Sequence, residues 1–206
     1  MFKAIAARFK PPVYETFITA RLNMKLMPMD RGELFEDTLS TVLNAKRLGE
    51  TTGGGTLLGD DNLRTNEGDH EGVSYSEVEI SAINAEPRTT KKIIECLEDI
   101  GAAKGSRLIL PDDMADIEFG QLEGLGLYLN GTDLPDETYA NSDINQTITT
   151  LEILMGDHLE KRLHWQGSQD TALYFYGRSF TEMNAAIAGY LPNDRLCDRC
   201  RIVQIA

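Results

Sequence analysis

The chain has 206 residues, 41% of them hydrophobic, and a formal net charge of −13 at pH 7. This composition is ordinary for a water-soluble protein that buries a core. No run approaches the roughly 18–20 apolar residues of a membrane span, and the basic start of the chain lacks the apolar segment of a secretory signal. The sequence therefore predicts a protein with no membrane partner.

Acidic residues dominate both halves of the chain. Residues 1–118 carry a net charge of −7 and residues 119–206 one of −6. A surface for nucleic acid needs clustered lysine and arginine, so this distribution argues against a nucleic-acid partner. The three cysteines, Cys96, Cys197 and Cys200, are too few and too unevenly spaced for a disulfide framework. They predict reduced thiols and a cytoplasmic location.

In the first half, apolar residues alternate along 14–26 and recur at helical spacing along 33–48. The predicted elements, in chain order, are strand 14–26, helix 33–48, strand 51–58, strand 73–83, helix 89–100 and strand 107–110. Gly49 and Gly101 are predicted to end the two helices, and Thr89 or Thr90 to cap the second. Imperfect alternation along 73–83 predicts a bulge.

The second half repeats this order. The predicted elements are strand 122–129, a helix opening near Asp143 and ending near Gly156, a hairpin of strands 158–165 and 171–176, helix 180–191 and strand 201–205. A fixed order of elements that occurs twice favours an internal duplication.

Each half thus reads βαββαβ, which is the ferredoxin-like pattern. The predicted fold class is α+β, a tandem duplication of this unit with antiparallel sheets that carry their helices on one face. Residues 1–112, including a basic N-terminal lead-in, form the first predicted unit, and residues 119–206 form the second. The sheet face without helices must either contact solvent or pack against another layer. With two units in one chain, each unit can cover the open sheet face of the other.

Two glycine-rich segments do not have the order that phosphate binding requires. A phosphate loop runs from a strand into a helix N-terminus, whereas Gly53-Gly54-Gly55-Thr56 follows a predicted helix and enters a strand. In residues 101–106 the lysine precedes the glycine and no helix follows. No cofactor is predicted from either segment.

His158-Leu159-Glu160 and Cys197-Asp198-Arg199-Cys200 together imitate the zinc deaminase signature. Leu196 stands where that signature has proline, and both motifs adjoin predicted strands instead of helix N-termini. A structural zinc site would need Cys197, Cys200, His158 and His164 to converge. A low thiol pKa is typical of a helix N-terminus, so a redox role is not favoured. We predict no bound metal.

Acidic residues crowd the loop of the first predicted hairpin. They are Asp60, Asp61, Glu67, Asp69 and Glu71. Their spacing is not that of a calcium-binding EF-hand loop. Two interpretations remain: a solvated loop, or a contact surface for a basic protein partner.

Aromatic residues occupy both faces of one predicted strand of the second half. If Phe175 faces inward, Tyr174 and Tyr176 lie on the opposite face. RNA-recognition modules stack bases on such a face, but they also carry basic residues that this half lacks. The two tyrosines are therefore predicted to pack between the units.

Three segments carry a resemblance to known sequences: Arg31-Gly32-Glu33-Leu34-Phe35-Glu36-Asp37, Gly53-Gly54-Gly55-Thr56 and Phe175-Tyr176-Gly177. Together they resemble an uncharacterised bacterial family of acidic, immunity-type, toxin-inhibitor-like proteins. The resemblance implies a protein-binding inhibitor and assigns no functional residue.

Three hypotheses of function follow. The first is a non-enzymatic acidic protein-binding module, an immunity protein that neutralises a basic toxin. The second is a small-molecule-binding or sensing protein that uses the cleft between the units. The third is an enzyme whose site is assembled from scattered residues such as Glu36, Asp37, His158 and His164. The absence of an ordered catalytic motif favours the first two.

Overall fold

The computed structural model describes residues 12–59, 72–112, 114–167 and 170–206. Within these ranges, no helix combines the length and the apolar character needed to cross a membrane. The fold is α+β and contains two antiparallel sheets.

The first sheet has five strands, in the spatial order β2-β3-β1-β4-β5. Their bounds are β1 Thr16–Leu22, β2 Gly49–Leu58, β3 Val73–Ala82, β4 Ser106–Ile109 and β5 Ile117–Phe119. Every neighbouring pair is antiparallel. The bulge predicted in the strand 73–83 is confirmed, because Ser74 of β3 is passed over where the register shifts between Leu57 and Leu58. A second shift, between Thr51 and Gly53, passes over Thr52 of β2 and was not predicted.

Helices cover one face of this sheet. They are α1 Pro28–Arg31, a π-helical turn Gly32–Glu36, α2 Asp37–Lys46 and α3 Pro87–Ile100. The apolar face predicted for β1 is confirmed, since Ile18, Ala20 and Leu22 are buried together with residues of α2 and α3. Burying each leucine or isoleucine of this core stabilises the fold by about 1.5–3 kcal/mol. On the opposite face Phe17 is 71% exposed.

The ends of these helices differ in part from the prediction. Arg47, with a φ of 55°, takes the left-handed position after α2, and Gly49 instead begins β2. A Cβ on Gly49 would lie 2.5 Å from the Ser81 carbonyl oxygen, so glycine is needed there for strand contact. The helix α3 begins at Pro87 after Glu86, and neither predicted threonine caps it. Gly101 ends it as predicted, with a φ of 100°.

The second sheet has four strands, in the order β7-β8-β6-β9, again antiparallel throughout. Their bounds are β6 Glu123–Asn130, β7 Lys161–Gln166, β8 Asp170–Gly177 and β9 Arg201–Gln204. In both sheets the third strand of the half lies between its first and second strands, and the fourth pairs with the other side of the first.

The helices of the second half are α4 Asp136–Asn141, α5 Ile144–Met155 and α6 Phe180–Ile187. Asp143 caps α5 as predicted, accepting a 2.9 Å hydrogen bond from the Asn145 amide. Short 3₁₀ turns follow at Gly156–His158, Leu191–Asn193 and Arg195–Cys197. The helix α4 and the strand β5 were not predicted, because they are too short to show a hydrophobic period.

Two cores result, and the second sheet separates them. Leu127 and Phe175 point into a core with α5 and α6. Tyr174 and Tyr176 lie on the other face and join the core of the first half. The predicted placement of these aromatic residues is thus confirmed. The first half covers the sheet face that the helices of the second half leave open.

Candidate functional site

The five predicted partner-binding carboxylates, Asp60, Asp61, Glu67, Asp69 and Glu71, lie outside the described residues. The two residues that flank this segment are described. The Gly59 amide donates a hydrogen bond of 2.6 Å to the carbonyl oxygen of Gly72. The contact surface proposed for the segment therefore stays a prediction.

A second acidic region, residues 108–160, was not predicted. Residues 108–160 contain no lysine and no arginine. The exposed carboxylates of this stretch that form no ion pair with another described residue are Asp112, Asp116, Glu118, Asp133, Asp136, Glu137, Asp143 and Asp157. The sequence does show this region, as 53 consecutive residues without lysine or arginine between Arg107 and Lys161. The net charge of each whole half does not reveal it.

Three of these carboxylates, Asp133, Asp136 and Glu137, stand before and at the start of α4, and we name them the α4 acidic patch. The loop before them is held by hydrogen bonds. The Asn130 side-chain oxygen accepts from the Asp133 amide at 2.9 Å. The Tyr139 hydroxyl accepts from the Leu134 amide at 3.0 Å and donates to the Asn130 carbonyl at 3.2 Å. The patch is thus presented on an ordered backbone.

The seam between the two halves contains buried polar groups. The Lys25 amide donates to the Tyr176 hydroxyl oxygen at 2.8 Å, and burial raises the pKa of Tyr176. Tyr174 stands edge-on to Tyr128, with ring centroids 6.1 Å apart, and burial raises its pKa as well. The buried indole N–H of Trp165 has no hydrogen-bond acceptor among the described residues.

Two of the three segments that carried the family resemblance meet around Arg31. Its Nε lies 2.6 Å from Glu36 Oε1, and its Nη1 donates to Thr56 Oγ1 at 2.7 Å. The side chains of this ion pair are 13% and 20% exposed, so water screens them only partly. A Cβ on Gly54 would lie 3.0 Å from both Arg31 and Glu36. This arrangement joins the start of α2 to β2 and leaves no unpaired charge for catalysis at Arg31.

A cavity of about 360 Å³ opens at the seam, bounded by α2, α3 and Lys161 of β7. Burial lowers the pKa of Lys161, although Glu160 raises it in part. Lys161 forms no ion pair with a described carboxylate; its ammonium lies 6.0 Å from the centre of the Phe35 ring. Glu33 and Asp99 also line the cavity, so a small ligand would meet one cation and two carboxylates there.

The histidines and cysteines that imitate a zinc site do not form one among the described residues. No group of three or more His, Cys, Asp or Glu side chains there is arranged to hold a metal ion. His158 Nδ1 lies 3.4 Å from Glu182 Oε2. Cys197 is buried and Cys200 is half-buried, and both remain thiols.

The scattered residues of the enzyme hypothesis have separate environments. Glu36 is occupied by Arg31, Asp37 begins α2 on the first half, and His158 is adjacent to Glu182 on the second. His164 is exposed on β7. The described structure does not assemble them into one site.

A scan against protein-family models and a search of curated proteins found no match to this chain.

Proposed function

We propose that this chain is a non-enzymatic module that binds and masks a basic protein, in the manner of a bacterial immunity protein that neutralises a toxin. The observation that carries the proposal is the region 108–160, which has no lysine or arginine and exposes carboxylates that form no ion pair with a described residue. A surface of clustered carboxylates attracts a basic partner during association and repels acidic proteins. Such a surface needs no catalytic residue.

The α4 acidic patch has the properties that this role requires. Asp133, Asp136 and Glu137 are exposed and form no ion pair with a described residue, so their charge is available to a partner. The hydrogen bonds of Asn130 and Tyr139 fix the backbone that carries them, which reduces the entropy lost on binding. The loop acids 60–71 would extend the same surface chemistry.

We further infer that both halves derive from one ferredoxin-like unit. The common strand order of the two sheets and the helices at equivalent places in the chain support this origin. The proposal includes a cytoplasmic location, which three free cysteines favour.

The test compares two triple variants with the same change of charge. The first is Asp133→Asn, Asp136→Asn and Glu137→Gln. The matched control is Glu50→Gln, Glu79→Gln and Glu86→Gln, three exposed carboxylates of the first half that form no ion pair with a described residue. Each immobilised protein captures partners from an extract of the source cells at low salt, and quantitative mass spectrometry identifies them.

A basic protein that the wild type and the control capture equally, and that the α4 variant captures about tenfold less, supports the proposal. The captured basic protein, once purified, should associate with the wild type at a rate that falls steeply as salt is added. The reason is that the Debye length falls from about 10 Å at 0.1 M to about 3 Å at 1 M. Equal capture by both variants would show that only net charge acts, and would overturn it.

The seam cavity favours a second candidate function, the sensing of a small molecule that carries both a cationic and an anionic group. Lys161 supplies a partly buried cation without an ion-pair partner in the described structure, and Glu33 and Asp99 supply carboxylates to the same cavity. A thermal-shift screen of small zwitterions, with carboxylates and phosphates for comparison, tests this candidate. A ligand whose stabilising effect disappears in Lys161→Met would favour it, and no shift with any ligand would argue against it.

A further inference from the structure

The Cys197-Asp198-Arg199-Cys200 segment forms a closed turn. The Cys200 amide donates to the Cys197 carbonyl oxygen at 3.1 Å. A four-residue turn of this kind brings its first and last Cα atoms within about 7 Å. Disulfides span Cα separations of about 4.4–6.8 Å. The backbone is thus already close to the geometry of a disulfide.

This turn holds an unfavourable backbone conformation. Asp198 has φ −60° and ψ 129°, as at the first central position of a type II turn, and Arg199 has a φ of 58°. The second central position of that turn normally holds glycine, and another residue there costs about 1–2 kcal/mol. The surrounding structure must therefore impose the conformation.

Asp194 provides that support. Its carboxylate accepts hydrogen bonds from the Leu196 amide at 2.9 Å, from the Thr147 hydroxyl at 2.7 Å and from the Tyr190 hydroxyl. These bonds tie the segment before the turn to α5 and to the end of α6. Burial alone would raise the pKa of Asp194, but the three hydrogen bonds together lower it, so the carboxylate stays charged at neutral pH.

The two thiols differ in access. Cys197 is 4% exposed and contributes to the core under the second sheet. Cys200 is half-buried, and both cysteines line a groove of about 560 Å³ together with Leu134 and Pro135. A reagent in the groove can thus reach the more exposed Cys200 first.

Hydrogen bonding at the turn favours a reactive Cys200. The hydrogen bond donated by Cys197 lowers the pKa of Cys200 to about 7, although burial and the Asp198 carboxylate act to raise it. The same hydrogen bond and burial raise the pKa of Cys197. Arg195 and Arg199 also line the groove, beside Asp194.

We propose that Cys197 and Cys200 form a redox-active dithiol that exchanges with small disulfides entering the groove. The Cys200 thiolate attacks one sulfur of the disulfide, forms a mixed disulfide and releases one thiolate. Cys197 then loses its proton and attacks the Cys200 sulfur, which forms the internal disulfide and releases the second thiolate. The protein dithiol is oxidised, and the small disulfide is reduced to two thiols.

The second step distinguishes this dithiol from an ordinary exposed cysteine. A thiol with a pKa near 7 has about fifteen times the thiolate of one with a pKa of 8.5 at pH 7, but each thiolate is about fivefold less nucleophilic. The first step is then only about threefold faster. Formation of the internal disulfide, which the turn geometry favours, is the product that a single exposed cysteine could not give.

Glutathione disulfide is the probe, with the whole protein at pH 7 and free thiols then alkylated. Mass spectrometry of proteolytic peptides should locate a Cys197–Cys200 disulfide in the wild type and in Cys96→Ser, the control that removes the third cysteine. Cys197→Ser should stop at one glutathione on Cys200, and Cys200→Ser should form no adduct at Cys197. Peptide mapping of the wild type needs no variant to fold.

The pH profile of the first step separates a specific role for Cys197 from a structural one. Cys197→Ala removes the hydrogen-bond donor and should move the midpoint of the rate up from about pH 7, whereas Cys197→Ser keeps a donor and should move it less. A wild type in which glutathione attaches to Cys200 and no internal disulfide follows would overturn the proposal. Reaction confined to Cys96 would also do so, and equal midpoints in both Cys197 variants would contradict the effect of the hydrogen bond on the pKa of Cys200.

Discussion

The backbone N–H of Lys25 and the hydroxyl oxygen of Tyr176, 151 residues apart in the chain, form a hydrogen bond of 2.8 Å. Lys25 follows the first strand of the first half, and Tyr176 lies on the central strand β8 of the second sheet. The bond is made where the two halves meet, with Tyr176 fully buried. It therefore couples the stability of one half to the position of the other.

Tyr176→Phe should lower the free energy of unfolding by about 1–3 kcal/mol, because it leaves the Lys25 amide without an acceptor in a partly buried site. Urea denaturation measures the change. Tyr75→Phe is the control, since Tyr75 is partly exposed and should change stability by less than about 0.5 kcal/mol. Equal effects of the two substitutions would contradict the role of the bond.

The buried tyrosines predict a loss of stability at alkaline pH. Burial raises the pKa of Tyr174 and Tyr176, whereas in the unfolded chain both ionise near pH 10. Their contribution is thus fully present below about pH 10 and is lost as the pH rises towards the folded pKa, at about 1.4 kcal/mol per pH unit for each group.

Urea unfolding between pH 8 and pH 11 measures this slope. Burial lowers the pKa of Lys25 and Lys161, and their deprotonation acts in the opposite direction. The comparison with Tyr176→Phe isolates one tyrosine, because the variant should lose stability less steeply by about 1.4 kcal/mol per pH unit. Parallel curves for the two proteins would refute the prediction.

Gly54→Ala should destabilise the first sheet by about 1–3 kcal/mol. The new Cβ would lie 2.2 Å from the Glu77 carbonyl oxygen and 3.0 Å from the Arg31–Glu36 pair. Gly55→Ala is the matched control, because no atom lies within 4 Å of its Cβ position. Thermal and urea unfolding of both variants check the prediction, and a loss at Gly55 as large as that at Gly54 would argue against it.

Arg199→Gly should stabilise the protein by about 0.5–1 kcal/mol. Glycine removes the cost of the left-handed φ at this position, and the greater freedom of the unfolded chain offsets part of that gain. Arg199→Ala, which removes the side chain but keeps the unfavourable φ, should show no such gain. The two unfolding free energies are measured side by side, and a more stable alanine variant would reverse the expected order.

Neutralising Asp60, Asp61, Glu67, Asp69 and Glu71 to amides should slow association with a basic partner at low salt. Thermal stability should remain nearly unchanged, because the sequence predicts a solvated loop here and solvated carboxylates contribute little to folding. Stopped-flow association at increasing salt, with the melting temperature as control, tests both statements. A large fall in melting temperature would mean that this segment is structural.

Periodicity predicted most elements because a single physical cause, burial of one face, acts along each of them. Ile18, Ala20 and Leu22 alternate because β1 has one buried face, and the helix α3 was placed by its stripe through Ile93 and Leu97. The three-residue strand β5 and the six-residue helix α4 are too short for a period to be visible. Their formation depends on neighbours elsewhere in the chain.

The sequence by itself determined the order of the longer elements, the face that β1 buries and the opposite orientations of Phe175 and Tyr176, because the alternation of side chains along a strand is a local property. The tertiary structure alone decided that Lys25 meets Tyr176 and that Thr147 donates to Asp194. These contacts depend on distances and directions between segments far apart in the chain, and local spacing does not encode them.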